Sequence, residues 1–249
     1  MTRQAYIESL FEAYTNCTKV TNDLYAGVTL EEAYEVAAGV TSLRNNNNED
    51  CKGYKLSATN IGSQNAFNVK EPIWGKVTRA ALANELILSA NEKPLVELEI
   101  VFIAQEDVDS NLNDKNLLEA FKVAVGLEFP MPRYEGFPKI TGGQFVADNV
   151  AAWNVAHGEA KQLASKGLDK IKGTLYFNDE KAGENTSECV LLHPVNAIRW
   201  LVNDLAKKGQ SIKKGEFIYS GSFTPPTLAQ KGVYKGEVEG IGSIEFIVK

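Results

Sequence analysis

One stretch of this 249-residue chain limits the possible folds more than any other. Leu95 to Ala104 is continuously apolar except for Glu97 and Glu99. Side chains of a β-strand alternate between faces, so Val96, Leu98, Ile100 and Phe102 share one face. Leu95, Glu97, Glu99, Val101 and Ile103 share the other. A solvent face would not normally carry Leu, Val and Ile together, so both faces are expected to be covered. The alternative is a half-exposed strand that shows two glutamates to water. Neighbouring carboxylates on a covered face repel each other and are costly to desolvate unless positive charge sits between them. A hard divalent cation meets that need, and oxygen-only ligands favour Mg²⁺ or Mn²⁺ over zinc. Glu128, in Gly126-Leu127-Glu128-Phe129-Pro130, is a third carboxylate among apolar residues. As a third oxygen ligand it would complete an open site with positions left for water and substrate.

Around this strand the pattern is β-rich. Helices are expected over Arg3–Thr15, from a capping box at Thr29-Leu30-Glu31-Glu32, over Asn113–Ala124 and over His193–Lys208, the last closed by Gly209. The polar run Asn45–Asn48 reads as the loop that ends the second helix. Ile171–Asn178, Glu216–Ser220, Val233–Val238 and Ser243–Val248 read as strands, and Gly240-Ile241-Gly242 as a turn between two of them. His157-Gly158 reads as a turn. Many short strands with few helices argue for an α+β fold, not a doubly wound sheet. Residues 1–50 are expected to form a helical cap segment and 51–249 one catalytic domain.

Composition excludes several classes. Lys plus Arg is 26 against 32 Asp plus Glu, with no dense basic run, so no nucleic-acid partner is expected. No apolar run reaches the roughly 18 residues of a membrane span. Cys17, Cys51 and Cys189 are odd in number and widely spaced, which argues against a disulfide framework or a structural zinc site. The N-terminus lacks an apolar signal core, so the expected compartment is the cytoplasm. The sequons at Asn16 and Asn185 are then chance matches. With two histidines, His157 and His193, and no Gly-x-Ser-x-Gly elbow, a serine-hydrolase triad has little support. His193, before Pro194, reads as a helix cap.

The motifs, taken in order, resemble one family. Gly53-Tyr54-Lys55-Leu56 with Thr59, Glu97-Leu98-Glu99, Leu127-Glu128 with Arg133, and Val146-Ala147-Asp148-Asn149 are four of them. His193-Pro194-Val195-Asn196-Ala197, Ser220-Gly221-Ser222-Phe223-Thr224 and Gly240-Ile241-Gly242-Ser243 follow. Together the seven resemble the 2-hydroxypenta-2,4-dienoate (2-keto-4-pentenoate) hydratase and 4-oxalocrotonate decarboxylase group of the fumarylacetoacetate hydrolase superfamily, nearly end to end. Ser57, Met131, Ala151, Ala152 and Pro225 depart from the family pattern, so the substrate-facing shell is the altered part.

The resemblance implies a β-rich fumarylacetoacetate-hydrolase-like fold with a small N-terminal helical segment. It implies Mg²⁺ or Mn²⁺ on Glu97, Glu99 and Glu128, where a bound 2-oxo acid would be polarised for hydration. Lys55 would carry the proton, its ammonium brought towards neutral pH by burial and the nearby cation. Tyr54, Gly221, Ser222 and Thr224 would bind substrate. The expected activity is addition of water to a 2-hydroxydienoate or 2-oxo-enoate, giving a 4-hydroxy-2-oxo acid. Decarboxylation of the 4-oxalocrotonate type, acylpyruvate hydrolysis or tautomerisation share the site, and a non-catalytic binding member is the alternative of a different class. A homo-oligomer, or a complex with a pathway enzyme, is the expected assembly.

Overall fold

The computed structural model describes residues 2–46, 50–78, 82–83, 85–112, 114–163 and 165–249. Two helices open the chain, α1 (Arg3–Asn16) and α2 (Leu30–Asn46). Thr2 caps α1 by accepting from the Ala5 amide at 3.2 Å. At Thr29 both halves of a capping box form, with Glu32 N–H donating to Thr29 Oγ1 and Thr29 N–H to Glu32 Oε2. Tyr6, Ile7 and Leu10 of α1 and Ala33, Val36 and Val40 of α2 are buried in one cluster with Phe67, Tyr134 and Phe145. The helices therefore pack onto later parts of the chain. The expected loop at Asn45–Asn48 is partly displaced: Asn45 and Asn46 continue α2, and Asn47 and Asn48 lie outside the described residues.

Among the described residues the strands form two sheets. The first has strands β1 (Cys51–Ser57), β2 (Ile73–Thr78), β4 (Leu95–Ala104), β5 (Phe121–Phe129), β6 (Asn154–His157) and β9 (Phe217–Ser222) in the order β2-β1-β9-β4-β5-β6. β10 (Thr227–Leu228) joins β4 at Leu95 and Val96, beyond the point where β9 leaves it. The second sheet has the order β3-β12-β11-β7-β8. Its strands are β3 (Glu85–Leu86), β7 (Lys172–Phe177), β8 (Glu180–Thr186), β11 (Gly232–Val238) and β12 (Gly242–Val248).

The sheets stack face to face. Val96, Leu98, Ile100 and Phe102 of β4 enter the main core with Leu127, Tyr234, Ile244 and Phe246. Gly236 allows the close approach, since a Cβ there would come 2.7 Å from Leu98 Cδ1. The other face of β4 is covered as well, by a cluster of Val101, Ala124, Val155, Phe217 and Tyr219. Between the strands lie α3 (Ile61–Ala66), α4 (Asp114–Glu119), α5 (Gly142–Ala147) and α6 (Pro194–Lys207). His193 caps α6, its Nδ1 accepting from the Val195 amide at 3.2 Å.

The expected helix over Asn113–Ala124 is corrected. It runs only over Asp114–Glu119, and Asn113 lies outside the described residues. From Phe121 the alternation of Phe121, Val123, Val125 and Leu127 takes over, and β5 pairs with β4 in unbroken register. His157 is also corrected: it ends β6, paired with Gly126, and does not form a turn. Among the described residues no helix is long and apolar enough to cross a membrane.

Candidate metal centre and cavity

The antiparallel β4–β5 register sets Glu97 directly opposite Glu128 and Glu99 opposite Gly126. Glu97 and Glu99 share a face by strand alternation, and cross-strand partners share it too. Carboxylate oxygens of Glu97, Glu99 and Glu128 consequently lie within 4.8 Å of one another. Glu99 and Glu128 are 1% and 0% exposed, while Glu97 is half-buried at the edge of a cavity.

Two backbone devices shape this cluster. β9 bulges where it leaves β4, between the pairings of Glu99 with Ser222 and Val101 with Tyr219. There Gly221 sits at φ +117 and donates its N–H to Glu99 Oε2 at 2.8 Å. A Cβ on Gly221 would meet Thr59 Oγ1 at 2.4 Å, so both conformation and space select glycine. Opposite Glu99, a Cβ on Gly126 would meet Val101 Cγ2 at 2.3 Å and Tyr219 Cε1 at 2.7 Å.

Lys55 completes the cluster from β1. Its Nζ lies 2.9 Å from Glu128 Oε1 and donates to the Val150 carbonyl at 3.0 Å. Burial would push the Lys55 ammonium down, but Glu128, then Glu97 and Glu99, outweigh it and hold the group above its ordinary value. The expected draw of Lys55 towards neutral pH rests on a bound cation as well as on burial; the protein's own groups pull the other way, because three carboxylates surround one ammonium. Burial raises all three carboxyls. Glu97 is pushed up to about 7 by burial and by the Glu128 charge, against Lys55. Glu99 is raised by burial, Glu128 and Glu97, against Lys55 and the Gly221 amide. Glu128 is raised by burial and held back by Lys55.

The donor set fits a divalent cation on two counts. Apart from the ion contact with Lys55, both Glu128 oxygens are buried without a hydrogen-bond partner. Three carboxylates and one ammonium also sum to −2 when ionised, the charge that one divalent ion offsets. Hard oxygen donors suit Mg²⁺ or Mn²⁺.

Lys55, Glu97 and Glu99 line a cavity of about 340 Å³. Phe67, Phe137 and Phe145 form an aromatic wall, with Phe67 and Phe145 stacked at 4.4 Å between centroids. Ser222, Thr224 and Pro225 supply another wall. Ser222 Oγ donates to the Thr224 carbonyl at 2.6 Å, and the buried Thr224 Oγ1 has no partner. Tyr54 departs from its expected place. It alternates with Lys55 on β1, so its ring packs edge-on to Trp74 in the main core and does not line the cavity. Gly221 does not line it either; its amide serves Glu99. The aromatic wall was not anticipated from sequence, since Phe67, Phe137 and Phe145 lie far from the glutamates along the chain and converge only in the fold.

No family model matches the chain. The fold is that of 4-oxalocrotonate decarboxylase from Pseudomonas putida G7, solved with magnesium and adipate: the TM-score is 0.91 at 21% identity, over 99% of this chain and 97% of that one. At that identity the likeness is one of fold, and the chain carries its buried carboxylate cluster within it. By sequence it is 28% identical to a 2-hydroxyhexa-2,4-dienoate hydratase of Comamonas testosteroni over 99% of both chains. It is 25% identical to a 2-keto-4-pentenoate hydratase of Paraburkholderia xenovorans over 97% of this chain and 93% of that one. Over nearly its whole length the chain is thus similar in sequence to enzymes that hydrate 2-hydroxydienoates and 2-keto-4-pentenoate, and in fold to a 4-oxalocrotonate decarboxylase.

Proposed function

We propose that the protein is a divalent-metal-dependent hydratase that converts a 2-hydroxydienoate, through its 2-oxo-enoate, into a 4-hydroxy-2-oxo acid. The observation that carries this reading is the convergence of Glu97, Glu99 and Glu128 beside a cavity that Glu97 and Glu99 line. These three residues would hold Mg²⁺ or Mn²⁺. When bound, the ion supplies Lewis-acid polarisation of a chelating 2-oxo acid. Lys55 keeps a proton at Nζ beside the cluster and would deliver it to the substrate carbon protonated in the dienol-to-oxo shift, taking back the proton that the 2-hydroxyl loses. Water then adds across the activated double bond, while the Phe67, Phe137 and Phe145 wall keeps bulk solvent from the reacting carbons. Thr224 Oγ1, buried and unpartnered, is the hydroxyl placed to bind a substrate oxygen beside Ser222.

The substrate we favour is a monocarboxylate with a short apolar tail. Among the described residues that line the cavity, Lys55 is the only cation, and it faces Glu128. An aromatic wall leaves a second carboxylate without a counter-charge. Decarboxylation of the 4-oxalocrotonate type is the second reading, supported by the likeness to that decarboxylase across nearly the whole fold. The expected setting is cytoplasmic and the expected form a homo-oligomer.

A substrate panel with added Mg²⁺ separates the readings. Loss of the dienol absorbance of 2-hydroxypenta- and 2-hydroxyhexa-2,4-dienoate, with formation of 4-hydroxy-2-oxo acids, is the expected result. CO₂ release from 4-oxalocrotonate without hydration of either dienoate would overturn it. Lys55→Ala is expected to lower turnover by a factor on the order of a hundred or more, and unchanged turnover would remove Lys55 from the reaction.

A further inference from the structure

We infer that Asn149 is a positioning residue for Lys55, acting through a left-handed turn at Asn149, Val150 and Ala151. The inference rests on the reading of Lys55 as the proton carrier. These three residues occupy φ of +51, +52 and +57 in succession, none of them glycine. A β-branched residue such as Val150 avoids this region strongly, and such conformations persist only where the surroundings hold them.

The surroundings here do so at every step. Asn149 bonds the Lys76 backbone twice: Oδ1 accepts from Lys76 N–H and Nδ2 donates to Lys76 O, each at 2.7 Å. Gly75 lets that strand approach, because a Cβ there would come 2.2 Å from the Asn149 carbonyl. Before the turn, Arg133 pairs with the buried Asp148 carboxylate and donates to the Asp148 carbonyl at 2.7 Å. After it, Arg133 donates to the Ala152 carbonyl at 3.3 Å, and Met131 N–H to the Ala151 carbonyl at 2.9 Å.

The product of this clamping is one acceptor in one place. The Val150 carbonyl receives Lys55 Nζ at 3.0 Å, while Glu128 Oε1 stands 2.9 Å from the same atom. A lysine ammonium has three donors on a flexible four-carbon stem. Two fixed acceptors define where it sits and leave one N–H for the cavity that Lys55 lines. Ala151 lines the same cavity, so the strained segment and the site are contiguous.

The test uses the full-length, metal-loaded protein with Asn149→Ala and Asn149→Asp. Loss of both Lys76 bonds in Asn149→Ala is expected to lower kcat tenfold to roughly a hundredfold, with KM and Mn²⁺ affinity within about threefold of the unsubstituted enzyme. Asn149→Asp keeps the acceptor for Lys76 N–H and should recover part of kcat. If Asn149→Ala fails to fold, the milder Asn149→Asp carries the same comparison. An activity-independent readout is the Lys55 ¹⁵Nζ resonance, expected in slow exchange in the unsubstituted protein and broadened or lost in Asn149→Ala. The inference is overturned if the folded variants keep kcat within about twofold or keep the Lys55 resonance unchanged. It is overturned equally if kcat and Mn²⁺ affinity fall while KM rises, all by similar factors, which would make the turn a general scaffold. An unsubstituted protein without turnover counts against the hydratase reading instead, and the resonance still decides this inference.

Discussion

At the scale of single residues, the defining fact is like charge brought together under burial. Glu97, Glu99 and Glu128 approach within 4.8 Å; burial pushes up all three, and the Glu128 charge adds to the rise at Glu97 and Glu99. Glu97, raised to about 7 from an ordinary value of 4.5, shows the consequence. A carboxyl whose folded value lies above its unfolded one favours the fold in the protonated form. That contribution is present below pH 4.5 and is lost as pH rises through 7. The metal-free protein is thus expected to lose thermal stability between pH 5 and pH 8, and added Mg²⁺ to restore it at the upper end. Because the proton competes with the cation, Mn²⁺ affinity measured by calorimetry should weaken by about tenfold per pH unit below 7. An affinity independent of pH from 5.5 to 8 would refute this picture of the cluster.

At the scale of elements, the antiparallel β4–β5 pair and the β9 bulge do the aiming. The strand Leu95–Ala104 was legible to the residue because its alternation, interrupted only by Glu97 and Glu99, leaves few other structures open. Glu128 was legible as a carboxylate in apolar company, but its register opposite Glu97 was not, since pairing is a long-range event. The strand β8, Glu180–Thr186, was missed because it is polar and mostly exposed, so no apolar alternation announces it. The helix expected through Ala124 was wrong for a related reason: short apolar runs fit both periods until a partner strand arbitrates. The bulge makes a graded prediction. Gly221→Ala adds a clash with Thr59 to the backbone cost of φ +117, whereas Gly240, at φ +70, has nothing within 4 Å. Gly240→Ala should cost about 1 kcal/mol, and Gly221→Ala about 3 kcal/mol or more once the clash is added. Equal costs in urea unfolding would mean that the contact with Thr59 is not what selects glycine.

At the scale of the whole molecule, the first sheet, the helical cluster and the segment after β9 supply the sides of the cavity, and the second sheet adds Asn185. The first sheet provides the charged floor through Lys55, Glu97 and Glu99, and α5 and the segment before it provide Phe145 and Phe137. The β-rich α+β character and the likeness to the hydratases were readable from motif order, because those motifs mark where the chain bends or carries charge. The cavity itself was not readable, because it forms from walls more than a hundred residues apart, as Phe67 and Ser222 show. Nor did any sequence signal announce the left-handed turn at Val150, whose carbonyl is common to every residue type. The three glutamates are proposed to share one divalent ion beside Lys55. Crystals soaked in Mn²⁺ and measured for anomalous scattering test it most directly. One peak per chain at roughly 2.0–2.4 Å from oxygens of Glu97, Glu99 and Glu128 is the expected result. Strong density elsewhere, with those oxygens bare at saturating Mn²⁺, would contradict the account.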